Sequence, residues 1–153
     1  MLAHNIKITV FAKPEDDKEK IKAALIDLIS LDLDKEKIDI PEISATGFED
    51  KKISIFEINL EKQPHINTFL KNLASDLSDE TKGFIVDQAE SRTDDECKFY
   101  LRFSKDKYIK EKTLWLTDQG NCFHIRISLA AFPKKKEKAL EIIQKVFKPE
   151  TRE

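Results

Sequence analysis

The chain has 153 residues, of which 40% are hydrophobic and 37% are charged, and its formal net charge is -2. This length suits one domain with a sizeable core, since domains usually have about 100–200 residues, and we expect a single domain over residues 1–153. The mildly acidic balance excludes a strongly basic nucleic-acid binder, so any nucleic-acid binding requires a local basic patch.

The first predicted element is a strand, because apolar and polar residues alternate over residues 6–10. Pro14 and the acidic residues 15–17 then predict a helix start, and apolar residues recur at helical spacing over residues 21–29. The acidic, irregular stretch 31–44 is predicted to be a loop that covers the core.

The middle of the chain predicts one strand and two helices. Residues 53–60 carry the strand pattern. Pro64 opens a helix whose apolar positions continue to Leu77. Ser78, followed by two acids, predicts a cap for a further helix towards Ala89.

The last third predicts three strands and a helix. The strands cover residues 98–103, 113–117 and 123–131, and the polar turn 118–121 joins the last two as a hairpin. Pro133 precedes the apolar pattern of the closing helix.

The two ends of the chain repeat one strand–proline–helix unit. Residues 6–10 match residues 125–129 in their apolar pattern, and Pro14 matches Pro133, each placed where proline can occupy the first helical position. We therefore predict an α+β fold with an antiparallel or mixed sheet of about five strands, helices on one face, and pseudo-repeated terminal units.

Motifs of catalysis are absent from the sequence. It contains no GxGxxG, P-loop, GxSxG, HExxH or CxxC pattern, and the three histidines lack metal-site spacing. We therefore expect a non-catalytic protein without cofactor or metal.

Cys97 and Cys122 suit either buried thiols or one disulfide. Apolar runs are too short to span a membrane and the N-terminus lacks a signal-peptide pattern, which indicates the cytoplasm. The abundance of Lys, Glu and Ile favours a thermophilic source.

Positive charge concentrates in two groups. The first lies on the strand over 98–103 and the loop predicted after it, and the second is predicted in the first turn of the last helix. Free N–H groups at a helix start, together with lysines, form a phosphate site. An alternative is that acidic residues 15–17 meet the second group, within one chain or across a dimer.

Aromatic residues interleave with the first basic group, as stacking and phosphate contacts on RNA require. Phe99 and Phe103 share a strand face and equally suit the core, whereas Tyr108 is expected to be exposed. The predicted RNA-binding residues are Arg102, Lys105, Lys107, Tyr108, Lys110, Lys134, Lys135, Lys136 and Lys138.

Several short motifs in this order resemble a family of small archaeal proteins described as an RNA-binding domain and predicted exosome subunit. They are Ala12-Lys13-Pro14, Thr46-Gly47-Phe48, Tyr100-Leu101-Arg102-Phe103-Ser104-Lys105, Ile125-Arg126-Ile127 and Ala131-Phe132-Pro133. The resemblance covers roughly residues 5–148. It implies an α+β fold similar to that of a ribosomal protein that binds a small ribosomal RNA, without enzymatic activity. The family's basic strand-end motif would map onto Arg102 and Lys105.

Two functions follow as hypotheses. The first is a non-catalytic RNA-binding protein, an accessory in RNA processing or decay, with RNA and an RNA-processing complex as partners. The second is a protein-interaction module or homodimer, in which basic helix starts pair with acidic loops around Asp16 or Asp39.

Overall fold

The computed structural model describes residues 1–150 apart from the side chain of Phe48, which belongs to one motif of the resemblance. Five strands form one antiparallel sheet in the order β2-β3-β1-β5-β4. The strands are β1 (Ala3–Ala12), β2 (Glu42–Thr46), β3 (Lys52–Leu60), β4 (Lys98–Ser104) and β5 (Cys122–Leu129). The helices of residues 1–150 are α1 (Lys18–Ile29), α2 (Leu33–Glu36), α3 (Gln63–Asp76), α4 (Asp79–Asp87), α5 (Lys105–Glu111) and α6 (Lys136–Phe147), with a 3₁₀ turn at Phe48–Asp50. The predicted α+β fold with a five-stranded sheet is confirmed.

Period-two alternation separates the two faces of β1, as the sequence predicts. Ile8 and Val10 are fully buried, whereas Thr9 is half-buried and Phe11 is exposed. Apolar side chains on one face of a strand are removed from water when that face packs, and this burial is the main stabilising contribution.

Two compact units make up the chain, the first built from residues 1–6, 60–101 and 126 onwards. In this unit α6 packs against α3 and α4. The rings of Phe99 and Phe147 lie with their centroids 5.9 Å apart. Pro64 lies in the first turn of α3, and Ser78 caps α4 by accepting a hydrogen bond from the Thr81 backbone N–H, both as predicted.

The second unit comprises residues 7–59 and 102–125. Here α1 packs against α5, and Tyr108 meets Phe123 edge to face at 5.7 Å between centroids. Strands β2 and β3 pair antiparallel, with Glu42 opposite Phe56. The expectation of a single domain over residues 1–153 stays a prediction.

Three local predictions are wrong. The stretch 31–44 contains α2 and the start of β2 instead of a covering loop, because β2 is a short strand without buried residues and so shows no alternation. Residues 113–117 form only an isolated bridge, between Leu116 and Phe103. The segment after β4 is helical, because Ser104 caps α5 by accepting from the Lys107 N–H.

The predicted position of the two prolines is also wrong. Helices α1 and α6 begin at Lys18 and Lys136, so neither Pro14 nor Pro133 occupies the first helical position. The repeated units differ in their caps. Asp17 accepts a hydrogen bond from the Lys20 N–H at 3.2 Å, whereas α6 lacks a side-chain cap.

Cys97 and Cys122 are both free and buried, so the structure shows the first of the two predicted alternatives, buried thiols. Burial also raises the pKa of the Cys122 thiol.

No helix within residues 1–150 has the length and apolar character to cross a membrane. In the same part of the chain, no cluster of three or more His, Cys, Asp or Glu side chains could hold a metal ion.

Candidate nucleic-acid interface

Strand β4 directs one predicted RNA-binding residue away from the core. Leu101 and Phe103 are fully buried, so the alternation of the strand exposes Arg102. The Arg102 guanidinium has no ion-pair or hydrogen-bond partner within residues 1–150. We call such a side chain, a cation without an ion-pair partner within residues 1–150, uncommitted; Arg102 is an uncommitted cation of the second unit.

Lys105 is not available as a surface cation, which corrects its prediction as an RNA contact. Its side chain is only 6% exposed. The Nζ atom donates to the Phe11 carbonyl oxygen at 2.9 Å and to Asp16 Oδ2 at 3.3 Å. A charge at this depth requires such partners, since leaving it unpaired is costly. Lys105 is thus part of the framework of the second unit.

The prediction that Tyr108 is exposed is also wrong. The ring is 8% exposed and packs against Phe123, with Lys112 Nζ 5.3 Å from its centroid. The exposed aromatic residue near α5 is Trp115, which is 57% exposed. The Nζ atom of Lys107 lies 5.5 Å from the Trp115 ring centroid, within the range of a cation–π contact.

The remaining cations of α5 differ in their partners. Lys107 forms an ion pair with Glu111 at 3.6 Å, one helical turn further along. Lys110 is exposed and has no ion-pair partner within residues 1–150. Exposed ion pairs of this kind contribute only about 0.3–0.5 kcal/mol to stability. A phosphate can therefore compete with Glu111 for Lys107.

The second basic group lies at the boundary of α6. Lys134 and Lys135 precede the helix, Lys136 is its first residue and Lys138 follows within the first turn, so the prediction that all four occupy that turn is only partly correct. Lys134 pairs with Glu96, and Lys138 pairs with Glu141 at 3.6 Å.

Two lysines of this group are uncommitted. Neither Lys135 nor Lys136 has a side-chain ion-pair partner within residues 1–150. The hydrogen bond from Lys134 lowers the pKa of the Glu96 carboxyl, and the same contact raises the pKa of the Lys134 ammonium. Both groups of this pair are therefore charged at neutral pH.

An exposed aromatic residue lies next to these lysines. Phe132 is 93% exposed, the largest exposed fraction among the large hydrophobic side chains of the described chain. Sequence reasoning did not assign it an RNA contact, although an aromatic residue two positions before a run of lysines was a visible signal. The loop before α6 thus presents a ring and several cations together.

Two residues of the acidic segment 15–17 have partners within the second unit, and a meeting of this segment with the second basic group across a dimer stays a prediction. Asp16 pairs with Lys105 and Asp17 caps α1, while Lys134 uses Glu96. The pKa of Asp16 is lowered, first by the hydrogen bond from the Lys13 backbone N–H and then by the charge of Lys105.

Comparisons with known proteins show what the sequence of this chain is similar to. The family described as "RNA binding" matches residues 5–129. A Pyrococcus abyssi protein described as an RNA-binding protein is 30% identical over 143 residues, 93% of this chain and 92% of its own. An uncharacterised protein of Methanocaldococcus jannaschii is 26% identical over 108 residues, 69% of this chain and 71% of its own.

Solved structures share the fold. A DUF54 protein of Methanothermobacter thermautotrophicus superposes with a TM-score of 0.78 at 24% identity, covering 97% of this chain and 100% of that one. A DUF54 protein of Archaeoglobus fulgidus gives a TM-score of 0.80 at 23% identity, covering 94% and 99%. The family match spans most of the sequence, and the chain therefore belongs to the RNA-binding family.

Proposed function

We propose that this protein binds RNA, with the loop before α6 as a principal contact. The observation that carries the proposal is the side chain of Phe132, 93% exposed beside the uncommitted Lys135 and Lys136. A large ring held in water is unfavourable unless a partner covers it, and a nucleic-acid base is a partner that lysines also attract.

The chemistry of the loop suits a nucleic-acid backbone and base. The lysines supply positive charge for phosphates. The free N–H groups of the first turn of α6 point towards the end of the helix at which these lysines lie. Phe132 supplies a flat surface for stacking, which tolerates any base. Family membership and the description of the Pyrococcus abyssi relative support RNA as the polyanion.

A second contact is proposed in the other unit, around α5. Trp115 is exposed with Lys107 against its ring, and Lys110 and Arg102 are uncommitted. With Lys105 and Tyr108 assigned to the interior, the proposed RNA-contacting residues are Phe132, Lys134, Lys135, Lys136, Lys138, Arg102, Lys107, Lys110 and Trp115.

The direct test is charge reversal in the loop before α6. The triple variant Lys134→Glu, Lys135→Glu, Lys136→Glu is expected to bind an RNA oligonucleotide about tenfold or more weakly than wild type, whatever its sequence, because phosphate contacts are lost. Fluorescence anisotropy with a labelled RNA at fixed salt measures the affinity.

A matched control changes the net charge by the same amount elsewhere. Lys35, Lys37 and Lys51 are exposed, and their replacement by Glu should reduce affinity far less. Equal losses in the two triple variants would contradict a local site and leave only an effect of net charge.

Within this proposal the protein is a non-catalytic cytoplasmic accessory in RNA processing or decay. The resemblance to predicted exosome subunits motivates this finer proposal. Crosslinking and sequencing of RNA bound in cells, with a pull-down from the same lysate, tests it. Recovery of neither RNA nor processing proteins would overturn it.

The homodimer hypothesis stays a prediction with weaker support. Asp16 and Lys134, two residues on which a charge-complementary dimer depends, are paired within the chain with Lys105 and Glu96. Molecular mass measured against salt concentration separates the two functions. A dimer that dissociates at high salt, in a protein that never binds RNA, would favour the interaction module.

A further inference from the structure

A groove of ≈ 420 Å³ lies on the second unit, over the strand face opposite the core. Ile8 and Val10 of β1 are buried on one face, and Thr9 and Phe11 project from the other. The groove residues that bear on its chemistry are Lys7, Thr9, Phe11, Glu57, Arg102 and His124.

Phe11 is the apolar exception on the outward face of β1, which is otherwise polar. Its side chain is 49% exposed, although the preceding outward residues of β1 are polar or charged. Its backbone carbonyl accepts the hydrogen bond from the buried Lys105 at 2.9 Å. The ring therefore stands on a backbone held by a buried contact, which reduces the entropy lost when a ligand stacks on it.

The charges lining the groove leave one cation without a partner. Lys7 Nζ and Glu57 Oε1 lie 3.3 Å apart and compensate each other. Arg102 lines the same groove and has no ion-pair partner within residues 1–150. An unpaired guanidinium and an exposed ring in one groove are complementary to a phosphate joined to a base.

The size of the groove limits its occupant. Sites for small ligands have volumes of about 300–1,000 Å³, and this groove lies towards the lower end. In a duplex the bases are stacked and paired inside the helix, so a base can reach a protein ring only from a loop, a bulge or a single strand.

We propose that this groove receives an unpaired nucleotide of single-stranded RNA, with the base on Phe11 and a phosphate at Arg102. The inference rests on the proposed RNA binding and adds the class of RNA and the residue that selects it. Lys105 is a positioning residue in this arrangement, because it holds the strand that carries the ring.

The test compares a single-stranded RNA decamer with a duplex of the same length and sequence. Phe11→Leu keeps apolar bulk on the strand but removes the ring. It is expected to weaken binding of the single strand by about 5- to 150-fold, the range that one base–aromatic stack provides, and to leave duplex binding unchanged. Phe11→Trp is expected to restore the affinity, which separates stacking from a folding defect.

Phe84→Ala is the matched control, because Phe84 is 52% exposed and lies in the first unit. It should bind both RNAs as wild type does. Arg102→Gln should reduce the slope of log affinity for the single strand against log salt concentration by about 0.7, the contribution of one phosphate.

Three results would overturn the inference. If Phe11→Leu binds the single strand as wild type does, the groove is not the site, although RNA binding itself stands. If it changes the oligomeric state and not the RNA affinity, the groove belongs to a second copy of the chain. If wild type binds no RNA, the inference falls together with the proposed function.

Discussion

Individual side chains of this protein divide between holding the fold and facing a ligand, and their contacts decide which. Lys105 and Lys110 lie on the same short helix, yet Lys105 is 4% exposed and paired with Asp16, whereas Lys110 is exposed. Sequence alone could not separate them, because a run of lysines carries no sign of which one turns inward. The contact with Asp16 makes Lys105 a stability residue.

Lys105→Met is expected to destabilise the protein by about 1–4 kcal/mol, below the upper range for a broken buried pair because Asp16 is partly exposed. The change removes the Lys105 ammonium from the Phe11 carbonyl and from the Asp16 carboxylate, which keeps the hydrogen bond from the Lys13 backbone N–H. Urea unfolding measures this loss of stability. Lys110→Met on the same helix should stay within about 0.5 kcal/mol of wild type, and equal losses in the two variants would contradict the structural role of Lys105.

The lowered pKa of Asp16 predicts a dependence of stability on pH. Because the carboxyl binds its proton more weakly in the folded state, its contribution is present above the unfolded pKa and is lost as the pH falls through the folded pKa. The stability advantage of wild type over Asp16→Asn should therefore shrink as the pH decreases below about 4.

Urea midpoints measured from about pH 7 to about pH 3 test this dependence. Asp39→Asn is the control, since the exposed Asp39 has no hydrogen-bond or ion-pair partner within residues 1–150. A wild-type advantage over Asp16→Asn that stays constant across this range would contradict the assignment.

At the scale of elements, the two terminal helices show how similar units acquire different roles. Helix α1 begins after Asp17, whose side chain satisfies a backbone N–H, whereas α6 begins after Lys135 and has no such cap. A lysine at a helix start opposes the helix dipole, so α6 starts with a sequence unfavourable for its own stability. That cost is consistent with selection for binding at this helix start.

Lys135→Asp should therefore change stability and affinity in opposite directions. A carboxylate at the cap position is expected to stabilise the protein by about 1 kcal/mol and to weaken RNA binding. Thermal unfolding and fluorescence anisotropy measure the two effects. A variant that is more stable and binds RNA at least as well as wild type would remove Lys135 from the interface.

Element prediction succeeded where burial imposes a period. Strands β1 and β5 and the apolar face of α3 were predictable because alternate or helically spaced residues are buried. Strand β2 and helix α5 were not, because β2 has no buried residue and α5 buries only two. Segments this short are fixed by caps and neighbouring strands, which leave no periodic pattern.

The candidate site was predictable to a similar extent. The exposure of Arg102 follows from the alternation around Leu101 and Phe103. Phe11 could have been found as the apolar residue on the polar parity of β1. The burial of Lys105 depends on its contacts with Phe11 and Asp16, and that of Tyr108 on its contact with Phe123, and these partners lie too far away in the sequence to leave a local pattern.

For the whole molecule, a net charge of -2 means that overall electrostatics do not attract RNA. On the proposed function, binding comes instead from the two local basic groups, in which Lys135 and Lys136 of the first unit and Arg102 and Lys110 of the second have no acidic partner within residues 1–150. Each unit also exposes an aromatic residue near its cations, Phe132 in the first and Trp115 in the second. We therefore expect a small number of phosphate contacts.

The salt dependence of RNA binding tests this central claim most directly. Affinity for a single-stranded RNA oligonucleotide, measured over a series of salt concentrations, should fall with a slope of about 0.7 per phosphate contacted on a log–log plot. Replacing Lys135 and Lys136 by Gln should reduce the slope by about 1.4, two such contacts. A slope near zero in wild type, or an unchanged slope in the double variant, would contradict the account.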